Sequence, residues 1–159
     1  MPKARPPQLD SPVVGKVIKA ASRANTRLYR LTGGVLGSRW RVGSAFPRGI
    51  PICLVTTTGK RSGRPRTAPL LHLRDGDRVV LVASQGGLPR HPDWYHNVRA
   101  NPEVTVQIKR DIRSMKARTA TPRERADLWP RLVDMYADFD DYQSWTDREI
   151  PVVICEPVP

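Results

Sequence analysis

Apolar and polar positions follow two different periods along this chain. Over residues 13–31 the period is helical. With Val14 placed at zero on a wheel of 100° per residue, Val17, Ile18, Ala21, Asn25 and Leu28 fall within about 60° of it. Lys16, Lys19, Arg23, Arg27 and Arg30 fall within about 40° of the opposite direction. The spacing predicts an amphipathic helix with one cationic face, ended by Gly33, Gly34 and Gly37. Residues 32–50 read as an irregular crossing.

From residue 51 the period becomes that of strands. An apolar, β-branched run leads to Thr56-Thr57-Thr58. Strands are also predicted over Arg66–Leu73, Arg78–Ala83, Val104–Ile108, Ile112–Thr119 and Ile150–Cys155, which makes six. Asp75-Gly76 marks the turn before the third, whose unbroken apolar run predicts burial on both faces. A short helix is predicted from His91-Pro92 and stops at Asn101-Pro102. Thr121-Pro122-Arg123-Glu124 is a capping box that opens a further helix, in which Pro130 is expected to introduce a kink. Tyr136, Phe139, Tyr142 and Trp145 recur at spacing three and share a helical face. Asp138, Asp140 and Asp141 interrupt that face and suggest a partly open lid. The element order is that of an α+β protein built on a small antiparallel barrel.

Length and charge narrow the picture. With 159 residues, one domain is expected over 13–159, preceded by a flexible, proline-rich arm over 1–12. A net charge of +12 attracts nucleic acid, anionic lipid or an acidic ligand. Cys53 and Cys155 lie in apolar strand runs without Cys-x-x-Cys spacing, as expected of reduced packing residues in a cytosolic chain. Neither a signal peptide nor an apolar stretch of spanning length is apparent.

The candidate chemistry begins at Gly59-Lys60-Arg61-Ser62-Gly63-Arg64-Pro65-Arg66. Four cations, two glycines and a hydroxyl on one hairpin make either a grip for phosphate or carboxylate, or a solvated basic turn. It is not a Walker loop, since the spacing differs and no helix follows. Gly86-Gly87 at a strand end would let backbone approach a flat ligand, or form a plain loop. Trp94-Tyr95-His96-Asn97 would frame a cofactor, or pack over the barrel mouth. The three histidines lack zinc spacing, no Gly-x-Gly-x-x-Gly follows a strand, and there is no Gly-x-Ser-x-Gly elbow. An anion grip beside an aromatic wall suits a planar cofactor with an acidic tail, without saying which one.

Four stretches carry a resemblance: Thr56–Gly63, Ala83-Ser84-Gln85-Gly86-Gly87, Trp94-Tyr95-His96-Asn97 and Tyr142-Gln143-Ser144-Trp145-Thr146-Asp147-Arg148. Together they resemble the deazaflavin-dependent nitroreductase family, from about residue 12 onward. The resemblance implies a split β-barrel like that of flavin-binding oxidases, coenzyme F420 as hydride carrier, and a quinone or nitroimidazole acceptor. By position, Lys60, Arg61, Ser62 and Arg66 would hold the phosphate and glutamate tail. Thr67, Ala68, Pro69, Leu70, Leu71, Val82, Ala83, Ser84, Gln85, Asp93, Trp94, Tyr95, His96, Asn97 and Phe139 would border the cofactor. Ser84, Tyr136 and Tyr142 would face the acceptor.

Two residues depart from the family pattern. Phe139 stands where nitroimidazole-activating members are expected to carry tyrosine, and Gln85 where a lysine is common. The first disfavours nitro acceptors more than quinones; the second removes a cation beside the cofactor. A flavin mononucleotide enzyme of the same barrel type and a basic nucleic-acid-binding barrel remain as alternatives. The aromatics cluster in one short helix and one lid instead of lying across a sheet face, which speaks against nucleic acid. A cytosolic protein touching the inner face of the plasma membrane through its basic helix is the expected location.

Overall fold

The computed structural model describes residues 3–41 and 43–159; Met1 and Pro2 of the expected arm and Val42 of the expected crossing lie outside the described residues. Helix α1 spans Pro12–Thr32, with proline in its first turn and Gly33 closing it in the left-handed region at φ 57°. The strands are β1 (Arg39–Trp40), β2 (Ile50–Thr58), β3 (Pro65–Leu71), β4 (Leu73–Asp75), β5 (Arg78–Val82), β6 (Glu103–Ile108), β7 (Asp111–Thr119) and β8 (Val152–Pro157). Helix α2 (Asp93–Ala100) sits between β5 and β6, while α3 (Pro122–Met135) and α4 (Asp138–Ser144) sit between β7 and β8.

Every pairing is antiparallel, in the order β1-β2-β6-β7-β8-β5-β4, with β3 on the other side of β2. The expected single strand Arg66–Leu73 is therefore divided. At His72 the chain leaves β2, whose Ile52 pairs with Leu71, and joins β5, whose Val80 pairs with Leu73. A strand cannot keep one ladder while changing partners, so the break is the price of curling the sheet into a half-barrel. Pro69 fits in β3 because that strand pairs on one side only.

Alternation along the central strands divides the core. Val79, Leu81, Val153 and Cys155 point into the barrel with Cys53, Val55, Val106 and Met115. Val80, Val152 and Ile154 point outward, under Leu128, Leu132, Tyr136 and Phe139 of the α3–α4 layer. The uninterrupted apolar run of β5 is thus buried on both faces, as its pattern predicts. The Thr121–Glu124 capping box forms in both directions, and α3 continues through Pro130. Both cysteines are free and buried, and burial pushes the Cys155 thiol up to about 12.

The wheel leaves the seat of α1 open, and the structure supplies it. Thr26 and Tyr29 are its buried residues, and the Tyr29 hydroxyl accepts from the Lys109 amide. Asn25 donates to the Gly37 carbonyl at 3.2 Å. The aliphatic stripe stays largely in solvent, with Val17 62% and Ile18 53% exposed. The last two turns therefore hold the helix on the barrel through polar and aromatic groups.

His72, at the strand switch, is buried with its Nδ1 unpartnered. Burial, and then the nearby Arg74 charge, lower its pKa to about 4 from the ordinary 6.5. The unfolded chain takes up this proton first as pH falls, so the stabilisation present above about 6.5 is lost toward 4. The full window is about 3 kcal/mol. Urea unfolding of wild type should lose about that much more stability than His72→Gln between neutral pH and pH 4. Parallel pH profiles of the two proteins would count against the assignment.

Candidate functional site

The hairpin between β2 and β3 is ordered from beneath. Gly59 donates to the Arg64 carbonyl at 2.8 Å, Gly63 to the Gly59 carbonyl at 2.9 Å, and the Arg64 amide to Ser62 Oγ at 3.2 Å. Asn97, buried on α2, accepts from the Lys60 amide at 2.9 Å and donates to Thr57 Oγ1 at 3.0 Å. One amide side chain thus braces both the turn and the strand leading into it. Lys60, Arg61, Arg64 and Arg66 are exposed, and none joins an ion pair among the described residues. Arg30, from the cationic face of α1, donates to Thr67 Oγ1, which also shares a hydrogen bond with Thr56 Oγ1 at 2.8 Å. A fifth cation therefore meets the hairpin end of β3.

From Thr67 the half-buried residues of β3 run toward the second half of the site. Ala68 and Leu70 pack toward the barrel interior, whereas Leu71 packs on the outer layer with Val82 and Tyr142. After β5, Ser84 opens a tight turn in which Gln85 adopts φ 45°. Gly87 is present for packing: a Cβ there would lie 2.7 Å from the Tyr142 carbonyl oxygen. The expected close approach of glycine backbone is thus made to the lid, and the turn and α4 are held face to face.

Tyr136, at the α3–α4 junction, and Tyr142, on α4, bring their hydroxyls to 3.1 Å of each other. Burial, above all, raises both phenols above the ordinary tyrosine value, so both stay protonated donors. Tyr136 is 3% exposed, and Gly43 and Trp40 close over its hydroxyl. Tyr142 is half-buried. Instead of opening the lid, the interrupting acids tie it down. Asp138 accepts from the Ser44 amide at 3.0 Å, Asp140 from the Trp129 indole at 2.8 Å, and Asp141 from the Lys3 amide at 3.1 Å.

The structure gathers the expected residues into two halves. Lys60, Arg61, Ser62, Arg66, Thr67 and Asn97 form the cationic end. Pro69, Leu71, Val82, Ser84, Gln85, Tyr136 and Tyr142 lie along the outer face of β3 and β5 or at the lid. Six others point elsewhere. Ala83, Trp94 and Tyr95 pack in the barrel core, Tyr95 also bonding Thr119 at 2.9 Å. Phe139 is 3% exposed, its ring 5.0 Å from that of Tyr136. Asp93 and His96 are exposed on α2. Aromatic residues beside a mouth are as useful to the core as to a ligand, and here the core takes most of them.

Two residues of this region were not anticipated. Arg30 was visible as one of five cations on a helix face, but its reach to β3 depends on how α1 docks. Arg148 closes the most specific string of the sequence, and its guanidinium donates to the carbonyls of Ala83, Ser84 and Leu88.

Comparison with known proteins decides among the readings of this site. The family described as F420H(2)-dependent quinone reductase matches residues 21–157. The chain belongs to that family. An F420H(2)-dependent quinone reductase of Mycobacterium tuberculosis is 38% identical over 135 residues, 83% of this chain and 87% of its own. A second protein of that organism, assigned to the same class, is 45% identical over 117 residues, 74% of this chain and 98% of its own. The solved structure of an F420-H2-dependent reductase, FDR-A, is 44% identical, with a TM-score of 0.63 over 67% of this chain and 94% of that one. A further solved structure, described as a domain-swapped dimer, is 36% identical, with a TM-score of 0.64 over 84% of this chain and 97% of that one. The fold is the split barrel of these reductases, the activity is that of an F420-dependent oxidoreductase of the quinone reductase family, and coenzyme F420 is the cofactor.

The residues present suit an F420-dependent reductase. An acidic tail calls for cations not already committed to carboxylates, and the hairpin carries four. A flat ring calls for a partly open apolar surface, and Pro69 and Leu71 of β3 and Val82 at the end of β5 are half-buried.

Proposed function

We propose that this reductase passes the hydride of reduced F420 to a quinone. Lys60, Arg61, Arg66 and Arg30 hold the acidic tail, with Ser62 and the Asn97-braced amides of the hairpin as neutral donors. Thr67 to Leu71, Val82 and the Ser84-Gln85 turn border the ring. Bound F420 supplies the hydride chemistry. Tyr142 and Ser84 then donate hydrogen bonds to the acceptor oxygen on which charge develops. Tyr136, held by its contact with Tyr142, keeps that phenol oriented. The observation that carries the reading is this pair of protonated phenols packed against the Ser84–Gly87 turn, in a chain whose β2–β3 hairpin carries uncommitted cations. A nitro group gains less here, because Phe139 offers no donor and is buried among rings. Calorimetric titration of the purified protein with F420 and with flavin mononucleotide tests the cofactor half of the reading. F420 should bind more tightly, and tighter binding of flavin mononucleotide would reject it.

The exposed stripe of α1 supports peripheral contact with a membrane, where long-chain quinones reside. Among the described residues no helix is long and apolar enough to cross a membrane. Val13, Val17, Ile18 and Leu28 present aliphatic surface, and cations flank them on the same helix. Each cation near an anionic leaflet contributes about 1 kcal/mol. Wild type should sediment with anionic vesicles at low salt, while the double variant V17D/I18D stays in solution with its fold intact, both positions being exposed. Equal sedimentation of the two would remove the membrane from the account.

A further inference from the structure

Arg148 follows α4 and precedes β8, and its guanidinium spends its donors on a single loop. Nε donates to the Leu88 carbonyl at 2.9 Å, and Nη2 to the Ser84 carbonyl at 2.8 Å. Both Nη groups reach the Ala83 carbonyl, at 3.3 and 3.4 Å, and Nη1 lies 3.0 Å from His91 Nδ1. Arginine only donates, so His91 accepts there and carries its proton on Nε2. No carboxylate pairs with Arg148 among the described residues. A half-buried cation held by neutral acceptors alone is costly unless its geometry is used.

The same segment is tied to the lid. Gln143 on α4 donates to the Arg148 carbonyl at 2.8 Å and accepts from the Ile150 amide at 2.9 Å. Gly87, in the loop Arg148 holds, packs on the Tyr142 backbone. The turn bearing Ser84 and the helix bearing Tyr142 are therefore fixed to each other through one guanidinium and one glycine contact.

We propose that Arg148 is a positioning residue for hydride transfer, setting Ser84 and Tyr142 in register, and that neutral His91 is one of its required acceptors. The proposal deepens the quinone reductase reading and rests on it. Protonated His91 would turn an N–H toward the guanidinium. The groups around His91 are Arg148, the Tyr95 ring at 4.9 Å, the His96 ring at 5.8 Å and the Arg99 charge. None of them is an anion that would pair with a second cation. Burial, and then Arg148, lower the His91 pKa below its ordinary 6.5. Turnover should therefore fall on an acid limb lying below that value.

The test uses wild type, Arg148→Lys and His91→Asn. Lysine keeps the charge but not the fork; asparagine keeps an acceptor near Nδ1 but does not titrate. Hydrogen exchange of the protein without cofactor is read at the Gly87 and Leu88 amides, which bond the Ser84 and Gln85 carbonyls at 3.0 and 3.2 Å. In Arg148→Lys these amides should exchange roughly tenfold or more faster while β2 and β8 stay as protected as in wild type. Its kcat should drop about ten- to a hundredfold, with F420 affinity within about twofold of wild type. His91→Asn should exchange like wild type and lose the acid limb of kcat. Wild-type exchange and kcat in Arg148→Lys would overturn the proposal. So would acceleration that spreads equally to β2 and β8, or an acid limb that persists in His91→Asn. Absence of quinone turnover in wild type would instead reject the function, and the exchange pattern would still decide the role of Arg148.

Discussion

Arg66→Ala should weaken F420 binding about ten- to a hundredfold, the range expected when one charge-assisted hydrogen bond to an anionic group is lost. Arg66 is exposed at the start of β3, opposite Thr57 in the ladder, on the hairpin that Asn97 braces. Its removal leaves no buried group without a partner, so the fold should melt within a degree or two of wild type. Affinity in wild type should also decline as salt rises, because exposed cations are screened, and the variant should decline less steeply. Calorimetry at two ionic strengths reads both effects. An unchanged dissociation constant would move the tail away from this hairpin.

Tyr142→Phe should slow quinone reduction roughly ten- to a hundredfold, with F420 affinity within about twofold of wild type. Removing a single donor to a developing oxyanion costs about 10²–10³ in rate where it acts alone. Ser84 shares the task here, so the lower part of that range and below is expected. Burial keeps the Tyr142 phenol protonated well above neutral pH, so its contribution should hold across the neutral range. Stopped-flow oxidation of reduced F420 by a soluble menaquinone analogue separates the two effects. A rate equal to wild type, or a matching loss of cofactor affinity, would remove Tyr142 from the acceptor side.

The strands were legible because burial on two faces leaves a plain mark. The run Val79-Val80-Leu81-Val82 has no polar interruption, and it lies between the barrel interior and the α3–α4 layer. The capping box was legible because both of its bonds are local. The break at His72 was not, because nothing in Leu70-Leu71-His72-Leu73 distinguishes a strand that keeps its partner from one that changes it. The wheel for α1 separated cations from aliphatics but left open which residues seat the helix. Tyr29 holds the helix through its hydroxyl, a bond that periodicity in hydrophobicity does not encode. The cationic hairpin could be read from composition, since charge on a turn has nowhere else to go. The aromatic wall could not, since Trp94, Tyr95 and Phe139 serve the core. Arg148 was visible as part of a string, while its work lies in carbonyls some sixty residues away in sequence.

Anaerobic turnover is the decisive measurement of F420-dependent quinone reduction by this protein. Protein, reduced F420 and a menaquinone analogue are mixed, and the return of the oxidised deazaflavin's visible absorbance is followed. Reduced F420 should be oxidised catalytically over many turnovers, with flavin mononucleotide unable to replace it. Stoichiometric binding without turnover, or equal turnover with reduced flavin mononucleotide, would contradict that activity.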